Sequence, residues 1–341
     1  MQYSTFAAID IGSYDVILEI FEISKKQGIR SVDKICHRME LGKDTYTLGK
    51  IRPEMEEELC RVLADFVRIM EGYRVDAYRA MASSAISEAA NSLYVLGKIR
   101  QLTGLSVTVL SNSEQRFLGY KALAAMEDNF NKIIEKGTAI LDLDGGSFQI
   151  SLFDKDALVT TQNIRMGSLR IRERLAGIQS ETEHYEEMVE ELIWNEVSSF
   201  KKMYLKDRKI ENIMLIGDVF TDSVYQNIEE KTTKIISREN FNTWYEKIIR
   251  QSPMELAVKL GIPLENASLM YPSAVIYKCL IDMMGAEHIW IPGVHMTRGI
   301  AYEYAEQMKL LKGGHNFEND ILMAAKNIGK RYAVNLSLIH I

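Results

Sequence analysis

The sequence predicts an α/β protein built from two similar halves, and three observations carry that prediction. A length of 341 residues suits about two domains. A short apolar strand that ends in Asp-x-Gly and turns at once into a second strand occurs twice. It is found at Phe6-Ala-Ala-Ile-Asp-Ile-Gly-Ser13 before Val16-Ile-Leu-Glu-Ile-Phe-Glu-Ile23, and at Thr138-Ala-Ile-Leu-Asp-Leu-Asp-Gly-Gly-Ser147 before Gln149-Ile-Ser-Leu-Phe153. After each hairpin, strand-like and helix-like stretches alternate, which excludes a helical bundle.

In the first half the hairpin is followed by a strand-like stretch near Ile35 to Leu41. A helix is predicted from Pro53 to Gly72, where Met55, Leu59, Val62, Leu63, Phe66, Val67 and Met70 keep the 3.6 period. Arg74 to Met81 reads as a strand, Ser87 to Thr103 as a helix, and Val107 to Leu110 as a strand. The second half repeats the scheme with a helix from about Glu183 to Met203, a strand Asn212 to Ile216 and helices to Leu260. An apolar helix around Ala274 to Met284, a strand Ile289 to Ile291 and a helix after Arg298 follow. The resulting division is 1–124, 125–312 and a helical segment 313–341, where Gly313-Gly314 begins a polar joint before a helix from Asp320 to Tyr332. That last segment is expected to open a further helical domain.

Composition narrows the function classes. Hydrophobic residues make up 47% and charged residues 26%, with 5 Pro, which is ordinary globular composition. A net charge of -6 without a basic block argues against a nucleic-acid partner, although a local basic pocket for a small polyanion is compatible with it. Cys36, Cys60 and Cys279 stand far apart and form neither a CxxC pair nor a zinc set with the histidines, so they read as reduced thiols. Met1 to Thr5 shows no basic leader and no apolar run approaches a membrane span, so the expectation is a cytoplasmic protein with no membrane partner.

The two Asp-x-Gly turns are the candidate chemistry. Glycine allows successive N–H groups to converge on an anion, while the strand-end aspartates Asp10 and Asp142 can hold a magnesium ion. A plain β-turn is the competing explanation for either turn alone; their pairing at the start of duplicated halves favours function. Between them, Ser111 and Glu114 have the spacing of a capping box, which gives Glu114 a structural role. The alternative puts a carboxylate or amide of Glu114 or Gln115 at the interdomain cleft, orienting water. Ser83 and Ser84 offer hydroxyls before a helix, as phosphate ligands or as an ordinary N-cap. Trp194, Trp244 and Trp290 read as packing residues, His295 as a loop histidine, and Glu183 to Glu191 as a solvated helix face.

Five motifs in order carry a family resemblance: Ala8-Ile-Asp-Ile-Gly-Ser13; Met81-Ala-Ser-Ser-Ala-Ile-Ser-Glu-Ala-Ala-Asn91; Val109-Leu-Ser-Asn-Ser-Glu-Gln115 with Leu118-Gly119-Tyr120; Leu141-Asp-Leu-Asp-Gly-Gly-Ser147; and Arg165-Met-Gly167-Ser-Leu-Arg170. From about residue 6 to 310 the chain resembles the exopolyphosphatase / guanosine pentaphosphate phosphohydrolase (Ppx/GppA) family. The resemblance implies two ribonuclease H-like domains of the actin/Hsp70/sugar-kinase superfamily closing on a phosphate chain. It also implies hydrolysis of a terminal phosphate of polyphosphate or guanosine pentaphosphate, assisted by Mg2+ or Mn2+ at Asp10 and Asp142. Gly12, Ser13, Ser83, Ser84, Gly145, Gly146 and Ser147 would bind phosphate, and Glu114 or Gln115 would position water. Members often pair, so a homodimer is a further expectation. In longer members a helical HD-like domain follows the two.

The chain also departs from the family pattern. Tyr14 and Asp15 replace Asn and Ser in the first loop. In the second, Asp144 stands at the first glycine, Phe148 at the threonine and Gln149 at the glutamate. The catalytic Glu of the family aligns with Gln115, and an Arg with Ser87; the later loops survive only as Gly217-Asp218-Val-Phe-Thr221 and Thr297-Arg298-Gly299. A neutral amide cannot accept the proton of water, and losing a general base costs roughly 10²–10⁴-fold. Asp15 and Asp144 add negative charge where phosphates would sit, and Ser87 removes a phosphate clamp. A one-residue shift bringing in Glu114, or an extra metal at Asp15 and Asp144, would offset these losses. The rival expectation is a catalytically inactive paralogue acting as a phosphate-ligand binding or regulatory module. An actin-like ATPase or sugar kinase fits the middle motifs less well.

Overall fold

The computed structural model describes residues 3–126, 130–155, 157–176, 185–205, 208–227, 235–311 and 315–331. The first half contains β1 (Ser4–Ile11), β2 (Asp15–Ser24), β3 (Gly28–Arg38), α1 (Leu41–Leu48), α2 (Pro53–Tyr73), β4 (Ala77–Ala82), α3 (Ser84–Ser87), α4 (Ser92–Thr103), β5 (Val107–Val109) and α5 (Asn112–Met126). The second contains α6 (Phe130–Ile134), β6 (Thr138–Leu143), β7 (Phe148–Asp154), β8 (Ala157–Ile164), α7 (Ser168–Leu175), α8 (Tyr185–Phe200) and β9 (Asn212–Ile216). It continues through α9 (Val219–Asn227), β10 (Ile235–Ser237), α10 (Arg238–Ile249), α11 (Pro253–Leu260), α12 (Leu264–Met284), β11 (His288–Trp290), α13 (Met296–Gln307) and α14 (Phe317–Arg331).

The duplication inferred from the hairpins is a duplication of sheets. The first sheet runs β3-β2-β1-β4-β5 and the second β10-β11-β9-β6-β7-β8. In each, an antiparallel three-stranded meander (β1-β2-β3, β6-β7-β8) continues into parallel strands (β4 and β5, β9 and β11). The registers correspond: Asp10 pairs with Ile17 and Asp142 with Gln149. Because β1, β4, β6 and β9 end at the same level in their sheets, ligands are expected beyond their carboxyl ends, where the chain leaves the sheet.

Two helices join the halves. Leu118 of α5 packs with Phe6, Ala8 and Phe21 of the first sheet, while Tyr120, Ala122 and Leu123 pack with Ile140, Phe153 and Met214 of the second. The boundary expected at residue 124 therefore falls inside α5. Helix α13 returns to the first sheet through Ile300, Ala301 and Ala305, and its Tyr304 ring stacks on Phe6 with centroids 4.2 Å apart. It crosses α5 closely: a Cβ at Gly299 would lie 2.0 Å from the Leu118 carbonyl. Helix α14 docks on β8, with Phe317 beside Tyr120 and Phe153 and the buried Asp320 accepting from the Leu158 N–H at 3.3 Å.

Other differences from the sequence expectations have local causes. β3 begins at Gly28 rather than near Ile35, because its first residues alternate polar and half-exposed at the sheet edge. α12 begins at Leu264 rather than Ala274; it is buried on nearly all sides and so lacks an amphipathic stripe, and it carries Pro272 inside. The helix expected from Ser87 is two helices, α3 and α4. Strands β8 and β10 were not anticipated. Of the helix expected from Glu183, residues 183 and 184 lie outside the described residues, as does residue 332 of the last helix. Trp290 donates to Asn212 Oδ1 at 3.2 Å, but Trp194 is 47% exposed, with Lys201 Nζ 5.1 Å from its ring centroid.

Candidate functional site

The turns after β1 and β6 are built alike. Gly12 N–H donates to the Asp15 carbonyl at 2.9 Å, and Asp144 N–H donates to the Ser147 carbonyl at 2.9 Å. Each turn leaves the preceding strand-end aspartate, Asp10 or Asp142, facing the space between the sheets. After β9, Gly217 adopts φ +94°, and a Cβ there would lie 2.6 Å from Asp142 Oδ1 and 2.9 Å from the Leu143 carbonyl. Only glycine satisfies both the backbone angle and the contact. Gly119 on α5 likewise lets that helix approach Asp142 and Ile216.

These elements enclose a cavity of about 250 Å³. Its floor is acidic: Asp10, Asp142, Asp144 and Asp218 line it, with Asp15 and Asp222 nearby on the wall. Gln115 of α5 and Ser83 at the end of β4 complete the inner surface, and Lys34, Arg38 and His295 supply the basic side chains.

Crowding of buried carboxylates shapes the electrostatics. Burial, then Asp15, Asp144 and Asp142, holds Asp10 well above the usual carboxylate range. Burial, then the Asp144 and Asp218 charges, pushes Asp142 up to about 7. Burial raises Asp144 to about 6, opposed by hydrogen bonds from Gly145 N–H, Ser13 and Gln115. Burial also raises Asp218 to about 7; its Oδ1 accepts from Thr221 N–H at 3.1 Å, while Oδ2 lies near the Ser273 hydroxyl without a hydrogen bond of normal geometry. Asp15 is raised by burial although Arg38 Nη1 lies 2.9 Å from its Oδ2. Burial lowers His295, whose Nε2 is 3.4 Å from Asp222 Oδ1.

Among the described residues, no three His, Cys, Asp or Glu side chains gather into a ready-made metal cage. The donor chemistry nonetheless suits Mg2+, which binds through one or two carboxylates, keeps several waters and takes phosphate oxygens as further ligands. A floor of buried carboxylates with an under-bonded oxygen on Asp218 is short of positive charge in that sense. Asp10 and Asp142 are the strand-end carboxylates that would hold the ion.

Several of the residues expected from the sequence come together and others do not. Asp10, Gly12, Ser83, Gln115 and Asp142 line the cavity. Ser13, Ser84, Gly145, Gly146 and Ser147 are not among its lining residues, and Tyr46, which no sequence motif singled out, ties Ser13, Ser84 and Gly146 together. The Tyr46 hydroxyl lies 2.8 Å from Ser13 Oγ and 2.9 Å from Ser84 Oγ, and a Cβ at Gly146 would meet it at 2.1 Å. Arg170 covers the Tyr46 ring with its guanidinium carbon 3.9 Å from the centroid, donates to the Gly146 carbonyl at 2.9 Å, and pairs with Glu88 of the opposite half at 2.9 Å. Arg172 makes a second bridge between the halves, to Glu40 at 2.7 Å.

Glu114 does not face this cavity. Its Oε2 accepts from the Ser111 N–H at 2.8 Å and hydroxyl at 2.7 Å, which holds the carboxyl below its ordinary range, and it lines a separate groove with Tyr78, Lys121 and Phe317. The capping box thus fixes Glu114 outside, and helical geometry turns its neighbour Gln115 inward. Sequence reasoning also placed His295 in a loop as a bland residue, whereas it stands at the N-cap of α13 on the cavity wall. Its position in the Thr297-Arg298-Gly299 neighbourhood was the available signal.

Comparisons with known proteins agree with this architecture. The model of the Ppx/GppA phosphatase family matches residues 19–308. A bifunctional 3-dehydroquinate synthase/phosphatase of Fusobacterium nucleatum is 21% identical over 310 residues, covering 83% of this chain and 44% of that protein. Exopolyphosphatase 1 of Mycobacterium leprae is 26% identical over 144 residues, 42% of this chain and 41% of the relative. The chain thus spans less than half the length of these curated relatives. Among solved structures, an exopolyphosphatase from Cytophaga hutchinsonii superposes with TM-score 0.79 at 17% identity, covering 91% of this chain and 100% of that one. The Aquifex aeolicus member of the same family gives 0.73 at 17% identity, with 90% and 99% covered. At such identity these structures establish the shared fold alone: two ribonuclease H-like sheets with flanking helices.

Proposed function

Since the chain belongs to the Ppx/GppA phosphatase family, we propose that its cavity hydrolyses the terminal phosphoanhydride of inorganic polyphosphate or guanosine pentaphosphate, slowly and with Mg2+ or Mn2+. The observation that carries this reading is the convergence of Asp10, Asp142 and Gln115, from two strand ends and the helix between the halves, on one cavity. The metal would neutralise phosphate charge against the acidic floor. Asp10 and Asp142 would hold it, the Ser83 hydroxyl would give up its long bond to the Ile11 carbonyl, 3.4 Å, to donate to a phosphate oxygen, and the absence of a side chain at Gly12 would let the phosphate approach. Gln115 orients the attacking water through its carboxamide but cannot take its proton, so turnover is expected roughly 10²–10⁴-fold below that of a Glu-bearing relative.

Phosphate release from medium-chain polyphosphate with Mg2+ or Mn2+, run beside calorimetric binding, tests the reading. Release that disappears in Asp142→Ala supports it; no release from the unaltered protein overturns it. A second reading, a phosphate-binding regulatory module without turnover, is favoured by one specific feature. The Tyr46 hydroxyl occupies the space among Ser13, Ser84 and Gly146 where loop donors would meet a phosphate. Tight binding without release selects this alternative.

A further inference from the structure

The expected phosphate loops leave little positive character in the cavity. Ser13, Ser84, Gly145, Gly146 and Ser147 are not among its lining residues, and the floor is a set of aspartates. A ligand carrying several phosphates would need cations beyond one metal ion; among the described lining residues Lys34 and Arg38 supply them, while His295, whose charge burial disfavours, offers a ring N–H.

Register puts them together. β3 pairs antiparallel with β2 so that Arg38 faces Asp15, Cys36 faces Ile17 and Lys34 faces Glu19. With a period of two, Lys34, Cys36 and Arg38 share one face of the sheet, the face that lines the cavity. Arg38 is held by Asp15 at 2.9 Å, which fixes its guanidinium at the wall and leaves other N–H groups to donate. Lys34 is exposed at the rim and, among the described residues, makes no ion pair. Its charge nevertheless acts on Asp10, Asp15 and His295, which locates it at the same mouth. His295 approaches from the start of α13, beside Asp222.

We infer that Lys34 and Arg38 of β3, with His295, form an anion seat for the phosphates beyond the one cleaved, so that a polyphosphate-type ligand lies from the acidic floor to this basic wall. This rests on the proposed hydrolase reading for its choice of ligand. The seat gives a role to the Lys34 and Arg38 side chains of a cavity whose floor is acidic. It also selects chains of phosphates over a single phosphate, because a lone phosphate held at the floor does not reach the rim.

The test is calorimetric binding of tripolyphosphate, guanosine pentaphosphate and inorganic phosphate with saturating Mg2+. Lys34→Glu should weaken both polyanions by about tenfold or more, the size of a lost charge-assisted contact, and Lys34→Arg should restore binding. Lys34→Ala with Arg38→Ala should weaken them by about a hundredfold and make affinity less sensitive to salt. Because Arg38→Ala leaves Asp15 without its partner, circular dichroism must show a folded variant; Lys34→Glu, at an exposed unpaired position, keeps the test decisive if it does not. Unchanged tripolyphosphate affinity in Lys34→Glu overturns the seat. Weakened binding in Lys34→Glu by a protein that releases no phosphate would leave the seat standing and sink hydrolysis. Release with unaltered binding in Lys34→Glu does the reverse, and no tripolyphosphate binding by the unaltered protein sinks both. Loss confined to guanosine pentaphosphate contradicts a seat for phosphates.

Discussion

The two turns that open the halves share a backbone and differ in electrostatics. In the first, the added carboxylate of Asp15 is answered by Arg38 from the neighbouring strand, 2.9 Å away. In the second, among the described residues, the added carboxylate of Asp144 is met by dipoles: the Gly145 N–H at 2.6 Å, the Ser13 hydroxyl at 3.4 Å and the Gln115 side chain. One turn neutralises its charge internally, and the other leaves it for something cationic to complete. A duplicated scaffold can therefore keep its geometry while assigning its halves different electrostatic tasks.

The largest expected effect comes from the uncompensated side. Asp142→Ala should lower metal-dependent phosphate release by about a thousandfold, several kcal/mol of charge stabilisation, with far-UV circular dichroism unchanged. Residual release near the wild-type rate would show that the second turn does not hold the ion. Next, Gln115→Glu combined with Ser87→Arg should raise release by roughly 10²–10⁴-fold if those two positions limit turnover. No gain in a folded double variant argues against a dormant hydrolase site.

Stability sharpens the comparison further. Removing the cation from the first turn, Arg38→Ala, should destabilise by about 1–3 kcal/mol, discounted for the partly exposed guanidinium. Adding Asp15→Asn should recover most of it, which chemical denaturation can measure. A cycle with no coupling would mean that Asp15 is not neutralised by Arg38. The smallest effect concerns Asp218, which burial pushes up to about 7. A carboxyl whose folded pKa exceeds its unfolded value binds protons in the native state, so it costs stability as pH rises from about 4 to about 7 and that stability returns on acidification. Asp218→Asn should accordingly raise Tm at pH 8 and change it little near pH 4, below which both states keep the carboxyl protonated. An equal shift at both pH values would show that ionisation of Asp218 is not the cause.

Much of the fold was legible because a short apolar strand ending in Asp-x-Gly heads each half, as at Phe6 to Asp10 and Thr138 to Asp142. Helix α12 was only partly legible, since a helix buried on nearly all sides carries no stripe. The site was legible as far as Asp10, Asp142, Gly12, Ser83 and Gln115, which come from strand ends or the adjoining helix. Tyr46 and the basic face of β3 were not. Tyr46 meets Gly146 only after both halves have closed, and Lys34 and Arg38 face the cavity through a cross-strand register with β2. Glu114 and Gln115 were adjacent candidates in the sequence, and helical rotation separated them into different cavities.

Helix α13 has a bearing on biosynthesis. One face of the first sheet, with Phe6, Ala8, Phe21 and Ile23, is sealed by Ile300, Ala301 and Ala305. While the ribosome is still making the second half, that apolar face has Leu118 of α5 against it but lacks the α13 part of its cover. The amino-terminal half, though first to emerge, is therefore expected to be last to mature, and during that interval it is the part that a chaperone would have to shield.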